Sequence, residues 1–144
     1  MPYLQAVGLL SYPAAQCKFE IRYAVSLVSS RRNGWSRKHF DIVVKIYEYS
    51  LTTCEMGVMY AKGLDPHGDN VAYAYGDANH RLPRSQEYRI VMMNCGALSL
   101  VSKKQTKTAP SSTCSETTGL FNTSTDVLGA VSYTHLTLPT IYSV

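Results

Sequence analysis

Metal-ligand spacing, long apolar runs and charge are what this 144-residue chain has least of. Its four cysteines, Cys17, Cys54, Cys95 and Cys114, include no C-x-x-C pair. The histidines His39, His67, His80 and His135 do not complete a zinc pattern with them. Four reduced thiols in a reducing, intracellular compartment are the expectation, with cytoplasm and nucleus not distinguished. No apolar run is long enough to span a bilayer, and no basic segment precedes an apolar stretch at the N-terminus. A membrane partner is therefore not expected. Charged residues make up 17% of the chain and apolar residues 45%, which suits a globular segment and excludes a polar disordered one. The length allows at most one ordinary domain. A net charge of +4 permits contact with nucleic acid without arguing for it.

The pattern along the chain is helices, then strands, then one helix. Residues 3–30 read as helix, with Leu4, Val7 and Leu10 recurring at helical spacing and Ile21, Ala24, Val25 and Val28 doing so again. Pro13 should break or kink this stretch. Arg31-Arg32-Asn33-Gly34 is a turn signal, and Ser36 can cap a second helix running to about Leu51. Its apolar face would be Phe40, Val43, Val44, Tyr47 and Leu51. Met56 to Tyr60 reads as a short strand, and Ala61 to Asn70 as a turn-rich linker. Val71, Tyr73 and Tyr75 alternate with small residues, which marks a strand with one aromatic face. Glu87–Met93 and Ala97–Val101 read as two more strands, joined by Asn94-Cys95-Gly96 as a hairpin loop. A helix beginning at Ser112 or Thr113 occupies 111–128. The expected class is α+β.

Two acids stand out by position. Asp77 follows the first alternating strand and Glu116 lies one turn into the last helix. A strand-end acid and an acid on a helix packed over the sheet can converge on Mg²⁺, which prefers carboxylate oxygens. Each also has a plain structural role. Asp77 belongs to the turn former Gly76-Asp77-Ala78-Asn79, and Thr113-x-x-Glu116 is a capping box. Spacing alone favours the plain roles.

The last fourteen residues, VSYTHLTLPTIYSV from Val131 to Val144, resemble the translation of a sequencing adapter, the transposase mosaic end. Val131 to Thr140 match one reading frame of it residue for residue. Ala130 agrees with the codon ahead, and Val144 with the adapter's final codon before a stop. On that resemblance the segment 131–144 is adapter-derived and excluded from fold reasoning, and the natural sequence is expected to be cut at about Gly129. Its alternating Val131, Tyr133, Leu136 and Leu138 could mimic an edge strand.

Several blocks occur in a telling order: PYLQAVGLLSYPA at Pro2–Ala14, IRYAVSLVS at Ile21–Ser29, HFDIVVKIYEYSLTT at His39–Thr53, and GVMY at Gly57–Tyr60. AYGDAN at Ala74–Asn79, GALSLVSKKQT at Gly96–Thr106 and APSSTCSETTGLFNTSTDVL at Ala109–Leu128 follow. Together they resemble the part of a copia-type retrotransposon Pol polyprotein that joins the end of the reverse transcriptase to the ribonuclease H domain. The resemblance covers nearly all of the chain before the adapter-like tail. It implies a helical reverse-transcriptase end over 1–60, a linker over 61–70, and the N-terminal part of a ribonuclease H-like domain over 71–129. That part would be a truncated antiparallel sheet with one packed helix.

The resemblance places Asp77 at the family's first catalytic aspartate and Glu116 at its catalytic glutamate. Both would be Mg²⁺ ligands for hydrolysis of the RNA strand of an RNA–DNA hybrid. The family's third and fourth acidic positions would fall past Gly129, and no Asp-Asp pair is present for polymerase chemistry. Asn79 and His80 stand where the family has an aspartate and an aromatic. The loop from Asp77 to Arg84 is short, and Pro110, Cys114 and Thr117 also depart from the pattern. The implied product is a truncated, inactive polyprotein fragment with Mg²⁺ not productively held. The alternatives are a nucleic-acid-binding remnant, with Arg31, Arg32, Arg37, Lys38, Lys103, Lys104 and Lys107 on phosphates, or a decayed copy with no function.

Overall fold

The computed structural model describes residues 2–80 and 83–137, the last five by backbone alone. Helix α1 spans Tyr3–Gln16, a short 3₁₀ turn spans Phe19–Ile21, α2 spans Arg22–Ser29 and α3 spans Arg37–Thr52. Strands β1 (Tyr73–Asn79), β2 (Gln86–Met93) and β3 (Gly96–Lys104) follow, then α4 (Ser112–Thr137). The class is α+β, as expected. The sheet is an antiparallel meander in the order β1-β2-β3.

The apolar core of the described residues belongs to the three N-terminal helices. Tyr3, Ala6, Val7, Leu10 and Ala14 of α1 meet Val25 and Val28 of α2 and Val43 and Ile46 of α3. Two tyrosines add directed bonds. Tyr3 donates to the Val28 carbonyl at 2.7 Å, and Tyr47 donates to the Ala6 carbonyl at 2.8 Å. Each phenol buries its ring and satisfies its hydroxyl on a neighbouring helix. Trp35 stacks on Tyr3 at 5.1 Å between ring centroids.

Pro13 does break the 3–30 stretch, as expected, though only at the end of the turn that contains it. It sits in the last turn, where its carbonyl accepts from the Cys17 and Lys18 amides, and the chain breaks after Gln16. On α3, Ile46 is buried while Val44 and Leu51 are exposed, so the inward face is narrower than the apolar pattern suggests. Ser36 does cap α3, its backbone N–H donating to His39 Nδ1 at 3.0 Å. Met56–Tyr60 forms no strand; it lies beside the sheet, with the Tyr60 hydroxyl donating to the Ala97 carbonyl at 2.7 Å. β1 begins at Tyr73 and contains Asp77 rather than ending before it.

The hairpin between β2 and β3 has a two-residue loop, Asn94-Cys95, both at positive φ (50° and 64°), which matches the twist of the flanking strands. Gly96 therefore belongs to β3 rather than to the loop. The turn-rich 61–70 segment is fastened to this hairpin. Cys95 N–H donates to Asp65 Oδ2 at 2.7 Å, and Asn70 N–H donates to Asn94 Oδ1 at 2.7 Å.

Helix α4 is capped by Ser111, whose Oγ accepts from Cys114 N–H at 3.2 Å; Thr113 lies inside the helix, so the Thr113–Glu116 capping box does not form. Helix continues through 131–137, so the edge-strand expectation does not hold there. Leu138 lies outside the described residues.

Candidate nucleic-acid interface

Alternation along β1 decides which way each of its side chains faces. Ala78 is buried under α4, against Gly119, and a side chain at Gly76 would meet Thr123. Asp77 therefore points to the other face of the sheet, beside its cross-strand partner Tyr88. Its Oδ1 accepts the Ala78 amide at 2.8 Å. Glu116 is exposed, one turn into α4. Asp77 thus lies on the face of the sheet away from α4, and Glu116 lies on α4 itself. Among the described residues no three of His, Cys, Asp and Glu group to hold a metal ion. An octahedral Mg²⁺ needs converging oxygens, so this donor set does not fit one.

What α4 covers is a polar cluster that the strand pattern did not reveal. Glu87 and Arg89 are both buried, with Arg89 Nη1 2.6 Å from Glu87 Oε1. Arg89 Nε reaches Asp126 Oδ2 on α4 at 2.7 Å, and Asn122 donates to Glu87 Oε2 at 3.0 Å. Lys103 Nζ stands 3.7 Å from Glu87 Oε1. One turn from the helix start, Gln105 Nε2 donates to the Ser115 carbonyl at 2.9 Å. Charged groups withdrawn from water are tolerated when each is paired and bonded in this way. This cluster seats α4 on the sheet.

The cations gather beyond the end of the sheet, with Lys103 at their edge because its ammonium turns toward Glu87. A cleft of about 720 Å³ opens between the C-terminal half of α2 and the end of the sheet. Arg31, Arg32, Arg84, Lys103 and Lys104 border it, and among the described residues no acidic one does. Among the described residues, Arg31, Arg32, Arg84 and Lys104 form no ion pair. Arg31 and Arg32 follow the C-terminus of α2, where partial negative charge favours cations. Lys103 and Lys104 are the last two residues of β3. Tyr23 of α2 and Tyr88 of β2 meet in the cleft wall, with ring centroids 5.8 Å apart at 51°. The Tyr88 phenol is pushed above its usual pKa by burial first, then by Tyr23 and by the nearby Asp77 carboxylate.

Of the seven basic residues singled out in the sequence, four gather here. Arg37 instead pairs with Asp41 at 3.5 Å, and neither Lys38 nor Lys107 lines the cleft. Arg84 is the addition. It sits in the connection between β1 and β2, and the register of β2 with β3, with Gln86 opposite Lys104, brings it beside Lys104. No family model, curated protein or solved structure matches the chain. Among the described residues no helix is long and apolar enough to cross a membrane.

Proposed function

We propose that this chain derives from the region of a copia-type retrotransposon polyprotein that joins the reverse transcriptase to a ribonuclease H-like domain. In this reading it binds nucleic acid without cleaving it. The observation that carries the reading is the basic cleft, with Arg31 and Arg32 after α2, Arg84 in the β1–β2 connection, and Lys103 and Lys104 at the end of β3 around one concavity. Phosphate backbones are held by such arrangements, and the binding is largely independent of sequence.

The order of elements is consistent with the start of a ribonuclease H-like domain: three antiparallel strands, with Asp77 on the first, then a helix with Glu116 one turn in. In the parent family, acids at these positions would hold Mg²⁺ and cleave the RNA strand of an RNA–DNA hybrid. Here Asp77 lies on the face of the sheet away from α4 and Glu116 on α4 itself, and no step through a metal ion follows from them.

The test is equilibrium binding of labelled RNA–DNA hybrid and of labelled single strands to the purified chain, followed by anisotropy. Saturable binding that weakens with added salt and with Arg31→Ala plus Arg32→Ala is expected. Absence of binding to every nucleic acid at low salt would overturn the reading.

A further inference from the structure

The cleft has a feature that a duplex-binding surface does not require. Two aromatic rings stand among its cations, and one of them, Tyr23, is about half exposed, at 52%. A duplex keeps its bases stacked inside and offers its phosphates on a convex surface, so a concave pocket with aromatic walls gives it little to grip. A single strand offers both parts separately. Its bases are free to leave the stack and lie on an aromatic ring, while its phosphates follow a line of cations.

The dimensions agree with one or two nucleotides. A cleft of about 720 Å³ lies within the range of ligand-sized sites, roughly 300–1,000 Å³. Tyr88 from the sheet and Tyr23 from α2 share one wall, tilted against each other rather than stacked. Their ring faces are thus not spent on each other. Leu27, exposed one turn further along α2, extends the apolar wall toward Arg31. On the far side the cations come from Arg84 and Lys104, so a strand crossing the cleft passes between two basic banks.

We infer that the cleft is a single-strand site, in which a base of single-stranded RNA or DNA stacks on Tyr23 against Tyr88 while Arg31, Arg32, Arg84 and Lys104 hold the flanking phosphates. This rests on the nucleic-acid reading above and narrows it to one strand form. The tyrosines supply the preference for unpaired bases. The cations supply the attraction that every nucleic acid shares.

The experiment compares oligothymidylate and oligouridylate of about eight nucleotides with an RNA–DNA hybrid of the same length, at one salt concentration. Single strands are expected to bind at least fivefold more tightly than the hybrid. Tyr23→Ala should weaken single-strand binding about tenfold and leave hybrid binding unchanged, because stacking is the contribution it removes. Tyr23→Phe should retain the wild-type preference, since the ring and not the hydroxyl makes the contact. Tyr23 is exposed, and circular dichroism would verify that both variants fold. Hybrid binding as tight as single-strand binding, or a neutral Tyr23→Ala, would overturn the single-strand site while leaving the nucleic-acid reading standing. Loss of all binding in the unaltered chain would overturn both.

Discussion

Glu87 and Arg89 stand two residues apart on the same face of β2, bonded at 2.6 Å and shut from water by α4. They are the charged centre of an interface that is otherwise built from Ser85, Gln105, Ser115 and Thr123, with Ala78, Val91 and Ala109 as its small apolar part. Hydrophobic burial is concentrated in the N-terminal helices, while α4 is held on the sheet largely by hydrogen bonds and this ion network.

Removing one partner of a buried pair leaves the other charge unpaired and costs about 3–5 kcal/mol. Arg89→Ala is therefore expected to destabilise the chain by that amount, read as a lower midpoint in urea. Replacing both, as Glu87→Leu with Arg89→Met, should cost much less than the single change, because the fully buried Glu87 carboxylate is no longer left unpaired, while Asp126, with its side chain 30% exposed, stays in reach of water. Equal losses for the single and double variants would refute the assignment of the pair.

Close approach of β1 and α4 gives a second expectation. A Cβ at Gly76 would collide with Thr123 Oγ1, which already donates to the Gly119 carbonyl at 2.8 Å. Gly76→Ala should cost about 1–3 kcal/mol through overpacking. Adding Thr123→Ala should recover part of that loss, since it removes the colliding oxygen. Strict additivity of the two changes in thermal unfolding would show that they do not touch.

Much of this architecture was legible because periodicity reports burial. Leu10, Val25, Val28 and Val43 fall at helical spacing and are the core; Tyr73 and Tyr75 alternate and lie on a strand. What stayed hidden has a common cause. In β2 the apolar Tyr88, Ile90 and Met92 alternate with Glu87 and Arg89, a pattern that ordinarily puts the charges in water. The structure lays a polar helix over that charged face instead. Arg84 escaped notice for a similar reason, since nothing local marks a loop cation as the neighbour of Lys104, twenty residues on. Asp77 and Glu116 were identifiable as candidates from position, but which face Asp77 occupies depends on the strand boundary, and β1 proved to extend past Asp77.

Acid should loosen the fastening of the 61–70 segment. The Asp65 carboxyl is subject to burial, which raises its pKa. The amides of His67 and Cys95, the Tyr73 hydroxyl and the His67 charge together outweigh this and hold it below 3.8. A depressed carboxylate contributes stability that is present above its unfolded pKa and is lost as pH falls through the folded one. Asp65→Asn should thus be less stable than the unaltered chain near neutral pH, with the gap closing below about pH 4. A gap that stays constant in urea midpoints down to that range would contradict the role given to the carboxylate.

Salt dependence tests how many cations of the cleft meet phosphates. Single strands release about 0.7 counterion per phosphate neutralised, so four contacts predict a slope near −3 for log affinity against log salt. Arg31→Ala with Arg32→Ala should reduce its magnitude by about 1.4. Arg37→Ala, on α3 and paired to Asp41, should leave it unaltered. A slope indifferent to Arg31 and Arg32 would move the binding surface elsewhere.

The final expectation concerns cleavage. Two-metal hydrolysis of a phosphodiester needs acids that bridge metals about 3.5–4 Å apart, one activating water and one stabilising the leaving oxygen. Asp77 faces Tyr88 on one side of the sheet, and Glu116 belongs to the helix on the other. Asp126 cannot substitute freely, because Arg89 Nε already holds its Oδ2 at 2.7 Å. The purified chain should therefore release no RNA fragments from a labelled RNA–DNA hybrid above background, with Mg²⁺ or Mn²⁺ added. Binding measured in the same buffer would show that the silence is chemical rather than a lack of contact. Asp77→Asn should behave identically. Metal-dependent cleavage that disappears in Asp77→Asn would mean that α4 and β1 rearrange to bring these acids together, and the non-cleaving reading would be lost.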